Sequence, residues 1–245
     1  MSARRDSTLN ALYYDPITKQ IIDYVGGVED IKKRIVRPVI PIDRIFIEDP
    51  VRMLRAVKYG ATTGCKLPHK LKKKIRTSAP LLSPVSPSRL TEEFLKIING
   101  GHSFEIVNAA LETDLYEYLQ PAASNLILEN KKFAKSYLEN LKKLDEFVKQ
   151  NHDSRLGERL YFLLKDFVEQ LTDWKLEVQS EYSASELYKR TWAICRNFVL
   201  PINPQRTELD FAVRKLLQDA GIQVKTKRAK RTRRLHIQQE AEQKN

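Results

Sequence analysis

Phe133, Tyr137, Leu141, Leu144 and Val148 recur at steps of four and three with lysines on the opposite positions, which predicts an amphipathic helix over 129–151. Apolar stripes of the same kind predict helices at 50–63, 68–79, 88–99, 103–111, 113–120, 155–172, 183–199 and 205–220. Before residue 50 the pattern changes. Residues 11–14 and 21–25, rich in aromatic and β-branched side chains, flank the turn signal Asp15-Pro16-Ile17-Thr18-Lys19-Gln20 and predict a β-hairpin. Gly26-Gly27 ends it, and 28–34 reads as a short helix with Glu29 and Asp30 in its first turn. Residues 36–42, with Pro38 and Pro41, form a connector. Ser83-Pro84-Val85-Ser86-Pro87 parts two helices, and from 221 to 245 the periodicity is lost, so that segment is expected to be disordered.

An isolated hairpin is marginal in water and its edges invite pairing. No other stretch reads as a strand, so the rest of the hairpin's sheet is expected to lie outside this sequence.

Composition sharpens this picture in two places. With 8 glycines in 245 residues and 42% hydrophobic content, the chain is a helix-leaning globular protein of one large domain or two small ones. The net charge of +12 is uneven, because residues 225–234 hold seven basic side chains and no acid: Lys225, Lys227, Arg228, Lys230, Arg231, Arg233 and Arg234. Such a tail points to a polyanion, nucleic acid before anionic membrane. Cys65 and Cys195 are isolated, which fits a reducing compartment and excludes a disulfide framework. No run approaches the roughly 20 apolar residues of a membrane span, and the opening Met-Ser-Ala-Arg-Arg-Asp has no signal-peptide core, so a cytoplasmic location is expected.

The candidate chemistry centres on Glu48-Asp49-Pro50-Val51-Arg52-Met53-Leu54-Arg55-Ala56. Pro50 suits a first helical position and Asp49 an N-cap. Asp49 and Arg52 then stand three apart across a helix start, a carboxylate beside a guanidinium. On its Watson–Crick edge adenine offers an amino donor next to a ring-nitrogen acceptor, and cytosine offers the same order. Guanine and uracil would set an oxygen against Asp49 and an N–H against Arg52. A buried site that leaves such groups unpaired can reject a ligand by up to about 10⁴-fold. The same spacing also serves a plain surface ion pair.

Taken together, three motifs resemble the bacterial class II nucleotidyltransferases, the poly(A) polymerases and CCA-adding enzymes. They are Arg4-Arg5-Asp6-Ser7-Thr8-Leu9-Asn10-Ala11-Leu12-Tyr13-Tyr14, Asp23-Tyr24-Val25-Gly26-Gly27-Val28-Glu29-Asp30, and the stretch from Glu48 to Ala56, in family order within sixty residues. The resemblance is dense through residue 60 and thinner to about 120. It implies that Arg4, Arg5 and Asp6 lie by the ribose and phosphates of an incoming nucleotide, that Asp49 and Arg52 read its base, and that Asp6 is an accessory carboxylate near a metal. It implies a mainly α fold, the helical neck, body and tail of such an enzyme preceded by a β-hairpin remnant of its α/β head. The corresponding divisions are 1–42 for the head remnant, 43–120 for a nucleotide- and RNA-binding neck, 121–220 for a body and 221–245 for the basic tail.

The implied activity is template-free transfer of AMP from ATP to RNA 3′ ends, with CCA addition to tRNA and a non-catalytic RNA-binding module as alternatives. The basic tail favours poly(A) synthesis, since CCA-adding relatives generally lack one. Two departures stand out: Ser7, where the family usually has Phe, and Ile45, in a run where Arg is common. The family's glycine-rich turn and Asp-x-Asp pair do not occur in the sequence. Mg²⁺ is therefore expected to be held by a separate head segment, through a truncated or split reading frame or a start codon placed too late, with the seven tail cations holding RNA.

Other constellations are weaker. Trp192 and Phe211 lie among Arg196, Arg214 and Lys215, as an RNA face or as core. His152-Asp153 resembles a metal-binding dipeptide, with His69, His102 and His236 in no supporting context. Lys70, Lys72, Lys73 and Lys74 form a solvated helix face or a phosphate track.

Overall fold

The computed structural model describes residues 5–171 and 182–224. The chain is mainly helical and opens on a two-stranded antiparallel hairpin, β1 (Leu12–Asp15) and β2 (Gln20–Asp23). Tyr13 faces Ile22 and Tyr14 faces Ile21 across the ladder, and the second pair is exposed. Among the described residues no third strand joins it.

Helix α1 (Gly27–Lys33) follows at once, and one side chain builds its start. Asp23 Oδ1 accepts the N–H groups of Val25, Gly26 and Gly27, and Oδ2 accepts that of Val28. Those bonds, Val28's first, hold the Asp23 carboxyl down at about 2. Because its folded value is depressed, the contribution to stability is present above the usual 3.8 and is lost as pH falls through about 2. Protection of the Val25–Val28 amides, taken relative to the intrinsic exchange rate at each pH, is expected to fall across that window, and Asp23→Ala to abolish the step. Protection that stays constant from neutral pH to below 2 would contradict this.

The helical part begins with the four-residue α2 (Ile45–Glu48) and continues through α3 (Val51–Thr63), α4 (His69–Ser78) and α5 (Pro87–Ile98). Next come α6 (Ser103–Leu111), the single turn α7 (Tyr116–Leu119), α8 (Pro121–Glu129) and α9 (Lys131–Gln150). The last are α10 (Leu156–Leu171), α11 (Ala184–Phe198) and α12 (Arg206–Asp219). One contiguous apolar cluster runs from Val36 to Ile222 and takes in α2 through α12. Phe133 and Tyr137 stack at 5.4 Å within it, and the Tyr137 hydroxyl meets that of Tyr116 at 2.7 Å, so neither phenol is left unpaired.

Several expected boundaries move. The helix expected over 129–151 starts at Lys131, because Asn130 Oδ1 accepts the N–H groups of Lys132 and Phe133 and forces a break after α8. Helix α8 itself was not expected, although Pro121 sits at its first turn. The helix expected at 113–120 shrinks to α7, since Asp114 takes a positive φ of 57°. Ile45 lies in the core at 2% exposure, so the departure from Arg there is a packing residue. The disorder expected over 221–245 does not hold at its start, because Ile222 is buried and its N–H donates to the Leu217 carbonyl; the basic run and the rest of 225–245 fall outside the described residues, as does Arg4.

A distant residue caps α6. Asp145 of α9 accepts the Ser103 N–H at 2.6 Å and the Phe104 N–H at 2.9 Å, and also the Ser103 hydroxyl. The helix's own flanking residue, His102, offers no side-chain bond.

Candidate functional site

Pro50 takes helical angles (φ −59°, ψ −29°) and the chain turns into α3 there. Asp49 Oδ1 accepts the Val51 N–H at 3.2 Å, which satisfies one free donor of the first turn and fixes the carboxylate at the helix mouth. The polar stripe of α3 then presents Arg52, Arg55 and Tyr59, three and four residues apart. Arg5 and Asp6 enter from the segment before the hairpin, and Lys96 from α5. With Asn10 and Lys58 these side chains line one polar cavity of about 480 Å³. Of the residues marked out in the sequence, Arg5, Asp6, Asp49 and Arg52 are thus brought together.

The contacts within the cavity are specific. Arg52 Nε donates to Asp6 Oδ1 at 3.1 Å and its Nη1 to Glu48 Oε2 at 3.3 Å. Arg55 Nη1 donates to Asp6 Oδ2 at 3.1 Å and its Nε to Glu93 Oε1 at 3.2 Å. Asp49 and Arg52 do not bond each other. Asp49 is held instead by Arg89 of α5, whose Nη2 donates to Oδ1 at 2.9 Å and Oδ2 at 3.1 Å.

Counting atoms shows what is left over. A carboxylate has about four lone-pair sites and a guanidinium five N–H donors. Val51 and Arg89 take three of Asp49's sites, leaving one on Oδ2. Arg52 keeps both donors of Nη2 free among the described residues. One acceptor of Asp49 and one donor group of Arg52, two residues that line the same cavity, therefore remain without partners among the described residues. Arg5 makes no ion pair among the described residues and stands exposed at the rim.

Glu93, buried at 3%, gathers cations behind the wall: besides Arg55 it meets Lys96 at 3.0 Å and Lys58 at 3.6 Å. Burial opposes the Arg55 charge, but the hydrogen bond to Asp6 and the Glu93 charge carry its pKa above the usual range. The Lys96 ammonium is raised mainly by its bond to Glu92. Arg55, Lys58, Tyr59, Arg89, Glu93 and Lys96 were not foreseen as site residues.

The described residues do not suit a magnesium ion. Both oxygens of Asp6 face guanidinium groups, and no cluster of three or more His, Cys, Asp or Glu side chains that could hold a metal occurs among the described residues. Asp6 stands here as an anchor for Arg52 and Arg55. The Ser7 hydroxyl, next in sequence to Asp6, is buried without a partner.

Elsewhere, Trp192 packs under the Arg206 guanidinium at 5.3 Å and Phe211 under that of Arg155 at 4.1 Å, so both rings are already covered on one face. On α4, Leu71 and Ile75 face the core while Lys70 and Lys73 point to solvent. A larger cavity of about 800 Å³ lies between Pro84–Pro87 and Leu200–Asn203, but its walls are chiefly aliphatic and proline and it holds none of the motif residues. The polar cavity is the candidate because the unmatched donors and acceptors are there. No helix among the described residues is long and apolar enough to cross a membrane.

Two family models match the chain: "Poly A polymerase head domain" over residues 2–37 and "Probable RNA and SrmB- binding site of polymerase A" over residues 64–127. Poly(A) polymerase I of Escherichia coli is 37% identical over 127 residues, 52% of this chain and 27% of that protein. The CCA-adding enzyme of Geobacillus thermodenitrificans is 41% identical over 116 residues, 47% of this chain and 28% of that enzyme. The matched stretch thus spans about a quarter of these relatives' length. Among solved structures, the Bacillus stearothermophilus CCA-adding enzyme in complex with CTP superposes with a TM-score of 0.51 at 22% identity, over 89% of this chain and 58% of that one, a likeness of fold.

Proposed function

We propose that this chain, matched by the two poly(A) polymerase family models over residues 2–37 and 64–127, is the nucleotide-reading and RNA-holding part of a class II nucleotidyltransferase, a poly(A) polymerase selecting ATP for addition of AMP to RNA 3′ ends. The observation that carries the reading is that Asp49 and Arg52 line one cavity with a lone pair of Asp49 Oδ2 and the Nη2 donors of Arg52 left without partners among the described residues. The amino group of adenine donates to Asp49 and its ring nitrogen accepts from Arg52. Guanine and uracil meet oxygen with oxygen and hydrogen with hydrogen. Arg5, Arg55, Lys58 and Lys96 supply positive charge for the triphosphate.

In this reading magnesium ions would be held by residues outside those described, and would supply activation of the RNA hydroxyl and stabilisation of the pyrophosphate. The work of this chain is to bind, orient and discriminate. RNA is held by the exposed Lys70 and Lys73 of α4, inside the stretch matched by the RNA-binding model, and by the tail residues Lys225 to Arg234. The protein acts in the cytoplasm.

CCA addition to tRNA remains the second reading, supported by the matches to CCA-adding enzymes at 40% and 41% identity over 114 and 116 residues. Asp49 and Arg52 accept cytosine as readily as adenine, so they do not separate the two.

Equilibrium binding of the four nucleoside triphosphates to the chain tests the base reading. ATP and CTP are expected to bind about a hundredfold more tightly than GTP and UTP, below the ceiling for a fully buried site because the pair is partly exposed. Equal binding of all four would refute it. Supplying the head segment with Mg²⁺ and RNA then separates the products: long adenylate tails on any RNA, or three residues on tRNA ends.

A further inference from the structure

Resting on that base reading, we infer that Arg89 of α5 is a positioning residue that sets the base specificity of the site by locking the Asp49 carboxylate. Arg89 is not part of the cavity lining; it approaches Asp49 from behind, across forty residues of sequence. A single nitrogen, Nη2, bridges both carboxylate oxygens, at 2.9 and 3.1 Å. With the Val51 N–H on Oδ1, this fixes the plane of the carboxylate and leaves one lone pair of Oδ2 without a partner among the described residues.

The pair contributes little as a stabilising ion pair, since Arg89 is half exposed. Its effect is on rejection. The last torsion of an aspartate side chain is broad and turns easily when nothing holds it. Without Arg89, Asp49 is held only by the Val51 N–H on Oδ1; Oδ2 then turns away from the oxygen of guanine or uracil, a water fills the gap, and the penalty against the wrong base shrinks. Discrimination by an unfavourable contact requires that the contact cannot relax.

The same logic separates two replacements. Lysine also offers one nitrogen able to sit between two oxygens, so Arg89→Lys retains the lock. Arg89→Met keeps much of the side chain's length and loses the donor. Because Arg89 is exposed on one side and outside the core, both variants are expected to fold, which a thermal melt checks.

The test is binding of ATP, CTP, GTP and UTP to the full chain and to both variants. Arg89→Met is expected to bind GTP and UTP more tightly than the parent, and the ATP-to-GTP affinity ratio to fall about tenfold, with ATP itself changed by less than about threefold. Arg89→Lys restores most of the ratio. Tighter binding of the wrong bases is the decisive readout, because damage to the fold weakens every ligand alike. A ratio unchanged in Arg89→Met, or a parallel loss for all four nucleotides, overturns the role of Arg89 and leaves the base reading standing. A parent chain that does not prefer ATP and CTP overturns both.

Discussion

Arg52→Ala is expected to bring the affinities for ATP and GTP within about threefold of each other, from roughly a hundredfold in the parent chain. The substitution removes the two free donors of Nη2, so guanine no longer sets an N–H against an N–H. Asp49 alone then favours an amino group only weakly. The cavity itself should persist, because Asp6 keeps its bond to Arg55 at 3.1 Å and Arg55 keeps its bond to Glu93. ATP is therefore expected to lose only the donor's share of its binding, about tenfold. Competition binding with all four triphosphates measures this, and a variant that still prefers ATP by more than tenfold would remove Arg52 from base selection.

The second large effect is expected at Gly27, and it runs against the usual ranking of glycines. Gly26 has the left-handed conformation (φ +79°), yet a Cβ there would meet only the Arg37 guanidinium at 3.0 Å, the movable end of a long side chain. Gly27 has an ordinary helical conformation, but its Cβ would lie 2.3 Å from the backbone carbonyl oxygen of Thr8. Thr8 is itself fixed: its hydroxyl donates to the buried Asp30 at 2.6 Å and its N–H to the Arg37 carbonyl at 2.9 Å. Gly27→Ala must push the segment bearing Arg5 and Asp6 off α1. A cost at the upper end of the 1–3 kcal/mol range for overpacking follows, against about 1–2 kcal/mol for Gly26→Ala from backbone strain. Thermal or urea unfolding of the two variants gives the order directly. A Gly26→Ala variant less stable than Gly27→Ala would show that the Thr8 contact relaxes cheaply.

The parts of this molecule legible in the sequence are those encoded by neighbours in the chain. The hairpin is visible in the aromatic and β-branched residues on both sides of the turn signal Asp15–Gln20, and Ser103–Leu111 falls where its stripe places it. Asp49 and Pro50 announced the start of α3 because capping is a local event, settled within three residues. By contrast, α8 and the break at Asn130 were hidden, since Leu126, Ile127 and Leu128 read equally well as the lead-in to the long helix. The site divides in the same way. Arg5, Asp6, Asp49 and Arg52 could be marked because they stand in contiguous motifs. Arg89, Glu93 and Lys96, at steps of four and three on α5, look like any solvent face of an amphipathic helix. Only packing of α5 against α3 reveals that Arg89 and Glu93 are turned toward Asp49 and Arg55. Arg55, Lys58 and Tyr59 carried a weak signal, a run of polar side chains on the same stripe as Arg52.

The strap from Asp145 onto the start of α6 bears on how the chain comes off the ribosome. Two donors of the first turn of that helix find no local acceptor, and their answering carboxylate is made some forty residues later. Until α9 has emerged and docked, a nascent α6 stays frayed at its leading end. Synthesis halted between these points would therefore yield a helical segment that cannot finish itself, and the polar cavity on α3, which packs against α6, would mature only after translation has passed well beyond it.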